Sequence, residues 1–203
     1  MAKQAIAGFD PERVAYYEKA GWEAYYARNW LRAFRLMIGL NRAQFRMGWF
    51  MALAAALDTV RASIAFAPLD NDVPLATRHI ERFYAKARRA AGIAADAKTL
   101  ARLEMDYWVV HRRLAIARAK NPQESGIAPM VESLANLHAA LFNSTPGAMR
   151  ESAELRARAA ETVDLITSRR SIDVPGDWRK VEDFLRQAYR AVRVERLRGG
   201  VHG

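Results

Sequence analysis

Glu104 and His111 are two side chains of this sequence that could do chemistry from one side of a single helix. They lie seven residues apart with Trp108 between them, so a helix places all three along one flank, about one turn apart. The apolar seam beside them alternates steps of three and four and consists of Leu100, Leu103, Tyr107, Val110, Leu114 and Ala117. The pattern predicts a helix over about Ala97–Ala119. Its carboxylate and imidazole are either polar groups at the edge of the core or part of an internal site.

A second polar pair, Asp58 and Arg61, lies in the most apolar run of the chain, Phe50–Ala67. A buried ion without a partner is strongly destabilising, and residues one turn apart on a helix can pair. We therefore favour an ion pair that locks this helix against its neighbours. The alternative is a polar centre that lines an internal site.

An internal site in a helical bundle would hold a metal ion, a haem or a small organic ligand. Its candidate residues are Asp58, Arg61, Glu104, Tyr107, His111 and His138. The Glu-x-x-His motif of ferritin-like di-metal bundles is absent, and without cysteine the chain has no thiolate ligands. Haem would need His79, His111 or His138 as its axial ligand, but a histidine beside a core more often makes a hydrogen bond. No metal and no cofactor is therefore predicted.

Sequence motifs of the common hydrolases and nucleotide-binding enzymes are missing from the chain. It contains no G-x-S-x-G, no P-loop, no G-x-G-x-x-G and no H-E-x-x-H. A general acid–base pair needs two tuned groups that meet, and sequence alone does not show that Asp58 meets His111. Enzymatic activity is therefore not indicated.

Helical periodicity runs through the chain, and no alternating strand pattern interrupts it. With 203 residues, 51% hydrophobic and 27% charged, the composition is that of one globular domain. We expect an all-α fold, a single-domain antiparallel bundle of seven or eight helices in which Phe50–Ala67 and Ala97–Ala119 are central. In the first of these, Leu53, Leu57, Val60 and Ile64 share one apolar face.

Helix starts and loops follow from capping residues and proline. Helix starts are predicted at the caps Asp10, Asp72 and Asp177. Residues 121–127 are an expected internal hinge, and residues 199–203 an expected frayed tail.

The formal net charge of +10 is unevenly distributed along the chain. Residues 78–120 contain eleven Lys and Arg against four Asp and Glu, residues 121–167 three against six, and residues 168–203 nine against five. Two helices carry the basic face, which consists of Arg78, Arg82, Lys86, Arg89, Arg186, Arg190, Arg193 and Arg196. This layout favours a non-enzymatic interaction or assembly protein that uses its basic face to contact an anionic partner.

The expected partner is an acidic protein surface, or a second copy of the chain through its acidic 121–167 side. Nucleic acid is less favoured because the basic helices contain almost none of the Asn, Gln and Ser residues that read bases. Asp58 and Arg61 interrupt the long apolar run, so no membrane span is predicted. Since the N-terminus has no signal peptide pattern, a cytoplasmic protein is expected.

Overall fold

The structure is a computed structural model that describes residues 8–121 and 126–199, with side chains described as far as Arg193. These ranges contain eight α-helices and no strand. The helices are α1 (Pro11–Tyr26), α2 (Trp30–Phe45), α3 (Trp49–Phe66), α4 (Val73–Ala91), α5 (Ala97–Lys120), α6 (Ala128–Phe142), α7 (Arg150–Thr167) and α8 (Val174–Gly199). The predicted all-α bundle of seven or eight helices is confirmed. Residues 122–125 of the predicted hinge and 200–203 of the predicted tail lie outside the described residues.

The helices are arranged as a closed ring. Each helix packs against its neighbours in sequence, and α8 packs back against α1. Short connections make consecutive helices antiparallel, so α1, α3, α5 and α7 end on the same side of the ring. The expectation that α3 and α5 are central helices is wrong, because both are members of the ring and α4 lies between them.

Helix α3 packs against its neighbours mainly through small residues. Its buried residues are Ala52, Ala55, Ala56, Asp58, Ala62 and Phe66. Leu57 and Ile64, which belong to the predicted apolar face, are 41% and 67% exposed. Alanine has no side chain beyond Cβ, so the backbone of a neighbouring helix can approach closely. Close helix contact therefore determines the buried face of α3, and the larger apolar side chains remain partly outside.

The outer side of α3 is mostly apolar, with Arg61 as its exposed charged residue. Phe50, Leu57 and Ile64 are all exposed there. Among the described residues, α3 is the one helix whose length and composition would suit a membrane span, a test that core helices of soluble proteins also pass. The expectation of no membrane span stays a prediction.

Asp58 does not pair with Arg61. Asp58 is buried and accepts a hydrogen bond from the ammonium group of Lys86 on α4, whereas Arg61 is exposed. The predicted ion pair within one helix is therefore replaced by a pair that joins α3 to α4.

The helix caps follow the sequence in two of the three predicted cases. The carboxylates of Asp10 and Asp72 each accept a backbone N–H from the first turn of their helix. Helix α8 begins at Val174, before the predicted cap Asp177, because Asp173 accepts the backbone N–H of Gly176 at 2.9 Å.

Candidate ligand-binding cavity

The ring encloses a cavity of about 760 Å³, and all eight helices contribute residues to its wall. Exposed residues at the ends of α1 and α5 and in the loop after α3 border its opening: Tyr25, Tyr26, Leu69, Ile116 and Ala119. Deeper in the ring the wall is formed by buried residues, which include Glu18, Tyr84, Tyr107, His138 and Tyr189. The cavity thus leads from a partly apolar opening to a buried wall that carries polar groups.

Aromatic side chains form much of this wall. They include Tyr17, Trp22, Phe45, Phe66, Phe83, Tyr84, Tyr107, Trp108, Phe142 and Tyr189. Several meet edge to face, as Phe83 and Tyr84 do at 5.0 Å between ring centroids and Phe66 and Trp108 at 5.4 Å. These contacts give the cavity a closely packed aromatic wall, of the kind that binds organic molecules.

Glu18 of α1 is the centre of the first polar cluster and is only 5% exposed. Its two carboxylate oxygens accept hydrogen bonds from Arg156 of α7 and from the hydroxyl of Tyr189 of α8. Burial by itself lowers the pKa of Arg156, but Glu18 together with Tyr189, Tyr107 and Glu104 outweighs this effect, and the pKa is raised well above its usual value. Arg156 therefore stays charged, and the cluster joins three helices across the closure of the ring.

Glu104 of α5 is the centre of the second cluster. It accepts a hydrogen bond from the hydroxyl of Tyr84 on α4 and another from the indole N–H of Trp108, both at 2.8 Å. Burial, and then the charge of Glu104, raise the pKa of the Tyr84 hydroxyl well above its usual value, so it stays a donor. Among the described residues, no Lys or Arg forms an ion pair with Glu104.

His111 and Asp164 form the third cluster. Nε2 of His111 lies 3.1 and 3.2 Å from the two carboxylate oxygens of Asp164, which also accepts from the buried Arg118 at 2.8 Å. Because an ionised carboxylate only accepts, we assign the proton of neutral His111 to Nε2, which leaves Nδ1 as an acceptor. The imidazole also stacks on Tyr107, with 5.8 Å between centroids and 5° between planes. His111 is thus fixed in orientation at the cavity wall.

His138 of α6 is a buried neutral imidazole. Its Nδ1 lies 3.1 Å from the hydroxyl oxygen of Ser152 on α7. Burial, and to a lesser extent the charge of Arg156, lowers the pKa of His138 to about 3. At neutral pH the ring is therefore uncharged.

The structure brings four of the six predicted internal-site residues to this cavity. Glu104, Tyr107, His111 and His138 line it. Asp58 and Arg61 do not, since they belong to the contact between α3 and α4 and to its exposed edge.

Sequence reasoning did not single out Glu18, Tyr84, Arg156, Asp164 or Tyr189. The sequence did contain a signal for Glu18 and Arg156, because each follows a buried residue at helical spacing. Glu18 comes four residues after Val14, and Arg156 comes three residues after Ala153. A charged residue in a buried stripe needs a partner, but the partners here are 138 and 171 residues away in sequence.

The predicted basic face is divided between two helices that do not pack against each other, α4 and α8. Lys86 is paired with Asp58, and Arg186 and Arg190 are both paired with Glu12. The exposed residues of this predicted face are Arg78, Arg82, Arg89, Arg190 and Arg193. The side chain of Arg196 lies outside the described residues.

Comparison with known proteins finds no relative of this chain. The chain matches no known family profile, and neither a curated protein nor a solved structure is significantly similar to it. Within the described ranges, no three His, Asp or Glu side chains come together as a metal-ligand group. The function must therefore be inferred from the cavity and its chemistry.

Proposed function

We propose that this protein binds a small organic molecule in the cavity enclosed by its ring of helices. The observation that supports the proposal is a cavity of about 760 Å³ with aromatic walls and hydrogen-bonded polar groups. Small-molecule sites typically occupy about 300–1,000 Å³, are mostly apolar and contain a few fixed polar groups. The cavity has each of these properties.

An organic ligand is favoured over a metal ion or a haem by the chemistry of the wall. The three carboxylates, Glu18, Glu104 and Asp164, belong to three separate hydrogen-bonded clusters. A metal ion needs several such groups around one point. Haem would add two propionate carboxylates to a wall that already contains these three acids.

The test uses Nile red, an uncharged dye whose fluorescence rises in apolar surroundings. We expect saturable binding to the wild-type protein. Ala115→Trp places a large side chain at the cavity wall on α5 and should weaken dye binding about tenfold or more. The matched control is Ala85→Trp on the exposed side of α4, which should bind the dye as the wild type does.

Equal dye binding by both variants, or no saturable binding at all, would contradict the proposal. Mass spectrometry of the denatured protein would identify an organic molecule that copurifies. An absorbance spectrum and metal analysis of the same sample would reveal haem or a bound metal, either of which would replace the organic ligand as the occupant.

A second proposal, a contact with an acidic protein surface, is supported by Arg78, Arg82 and Arg89 on α4. All three are exposed, and none forms an ion pair within the described residues. Replacing the three by Gln should weaken the binding of polyglutamate and lower its salt dependence. The control replaces Lys98, Arg102 and Arg113 on α5, and an equal loss there would show only a general effect of net charge. An oligonucleotide that binds better than polyglutamate would favour nucleic acid instead.

A further inference from the structure

We propose that the molecule bound in the cavity carries a protonated amine, which is held against the Glu104 carboxylate by the rings of Tyr84 and Trp108. The inference rests on the proposed function, since it names the chemical class of the ligand for the same cavity. It starts from the observation that Glu104 has neutral hydrogen-bond donors as its partners.

The three acids of the cavity wall differ in how their charge is balanced. Asp164 and Glu18 are each paired with an arginine. Glu104 instead accepts from Tyr84 and Trp108, and neither donor carries a positive charge. Arg156 is near enough for its charge to act on Glu104, but its ion pair is with Glu18. Opposite charges attract more strongly near a protein interior than in water. The wall therefore favours a ligand that brings its own cation to Glu104.

The Glu104 carboxylate is oriented and still has acceptor capacity. Tyr84 donates to Oε2 and Trp108 donates to Oε1, so each oxygen has one partner from the protein. A carboxylate offers about four acceptor positions, so about two remain for the N–H groups of an ammonium ion. Because Tyr84 and Trp108 belong to packed helices of the protein, the Glu104 carboxylate is held in place before a ligand arrives.

The aromatic groups around Glu104 suit a cation with an apolar body. Phe66 meets Trp108 and Phe83 meets Tyr84, and all four rings line the cavity. The face of an aromatic ring attracts a cation, most strongly in tryptophan, and the same rings bind apolar groups. A cation attached to an apolar group would use both properties.

An anionic ligand fits this wall less well. Arg112 lies near the opening, with its guanidinium 3.9 Å from the centroid of Phe66. It also donates to the backbone carbonyl of Pro68 at 2.9 Å. Both contacts already engage Arg112 within the protein, and Arg156 is paired with Glu18.

The test compares three indole probes of similar size that differ in charge: tryptamine, the uncharged tryptophol and the anionic indoleacetate. Isothermal titration calorimetry at pH 7 measures their affinities for the wild-type protein. We expect tryptamine to bind about tenfold or more tighter than tryptophol, as a charge-assisted hydrogen bond implies, and indoleacetate to bind most weakly.

Glu104→Gln is the decisive variant, because it removes the charge and keeps the size of the side chain. Tryptamine affinity should fall about tenfold while tryptophol affinity stays nearly constant. Glu154→Gln, which removes an acid from the outer side of α7, should leave both affinities unchanged. If Glu104→Gln does not fold, the order of the three probes on the wild-type protein decides the question.

The outcomes separate this inference from the proposed function. Equal binding of tryptamine and tryptophol to the wild type, or an unchanged preference for tryptamine in Glu104→Gln, would overturn the amine inference. The proposed function would still stand if the uncharged probe binds and Ala115→Trp blocks it. If none of the three probes binds, the amine inference fails, and the Nile red experiment then decides the proposed function.

Discussion

At the scale of single residues, burial determines the state of the titratable groups around the cavity. The buried imidazole of His138 has a pKa lowered to about 3, whereas the Tyr84 hydroxyl has a raised pKa and stays protonated. Both side chains are therefore neutral hydrogen-bonding groups at physiological pH. Acids and the paired Arg156, which the surrounding helices hold in place, supply charge at the cavity wall.

The lowered pKa of His138 predicts a loss of stability in acid. Between pH 6.5 and about 3 the unfolded chain binds a proton at this residue and the folded chain does not, so stability falls as the pH falls. The contribution is about 1.4 kcal/mol per pH unit at most. We expect the stability difference between wild type and His138→Asn to shrink by up to about 2.7 kcal/mol from pH 7.5 to pH 4.5. Urea unfolding at both pH values measures it.

Ser152→Ala is the control for this prediction. It removes the hydrogen bond to His138 but keeps the titrating imidazole. Its stability should be lower than that of the wild type by about 1–2 kcal/mol, with the same decline in acid. A stability difference between wild type and His138→Asn that is independent of pH would show that the imidazole does not titrate as stated.

At the scale of helices, α3 shows that the largest apolar side chains do not always define the buried face. Ala55 and Ala56 are fully buried, whereas Ile64 is 67% exposed. The close approach that alanine permits, together with the pair between Asp58 and Lys86, fixes α3 against α4. Because α3 buries its alanine face, the larger apolar side chains on its outer side remain exposed to solvent.

This arrangement predicts opposite outcomes for two substitutions on α3. Ala55→Leu adds volume to a closely packed contact and should destabilise the protein by about 1–3 kcal/mol. Ile64→Gln changes an exposed residue and should alter stability by no more than about 0.5 kcal/mol. Thermal and urea unfolding of both variants provide the measurement. The reverse order of effects would mean that the helix buries its Leu53–Ile64 side instead.

At the scale of the whole molecule, the ring is closed by polar contacts between its first and last helices. Glu18 of α1 binds both Arg156 of α7 and Tyr189 of α8, and Glu12 of α1 pairs with Arg186 and Arg190 of α8. The same closure creates the cavity, because its wall includes residues of every helix. Stability and the candidate site therefore depend on the same contacts.

Glu18→Ala should be strongly destabilising, because it leaves Arg156 charged and mostly buried without its partner. We expect a loss of about 3–5 kcal/mol in the free energy of unfolding. Glu154→Ala, which breaks an exposed pair with Arg158, should cost about 1 kcal/mol or less. Adding Arg156→Met to a Glu18→Leu variant should recover much of the loss, since neither charge then remains buried. Similar costs for Glu18→Ala and Glu154→Ala would show that the cluster does not hold the ring closed.

The sequence by itself determined the helices and many of their ends, because helical periodicity and caps such as Asp10 and Asp72 act between residues a few positions apart. It also predicted that Glu104 and His111 lie along the flank of one apolar seam and that His138 lies beside another, and the structure brings all three to the cavity wall. These features are local, so a single stretch of chain contains the information that defines them.

Only the tertiary structure decided which partner each buried charge has and where the helices lie in the ring. Asp58 binds Lys86 instead of the nearby Arg61, and Glu18 binds Arg156 at a separation of 138 residues. Such pairs form when the chain closes and two desolvated charges meet, and spacing along one helix does not specify that event. The cavity arises in the same way, since it exists only once all eight described helices surround it.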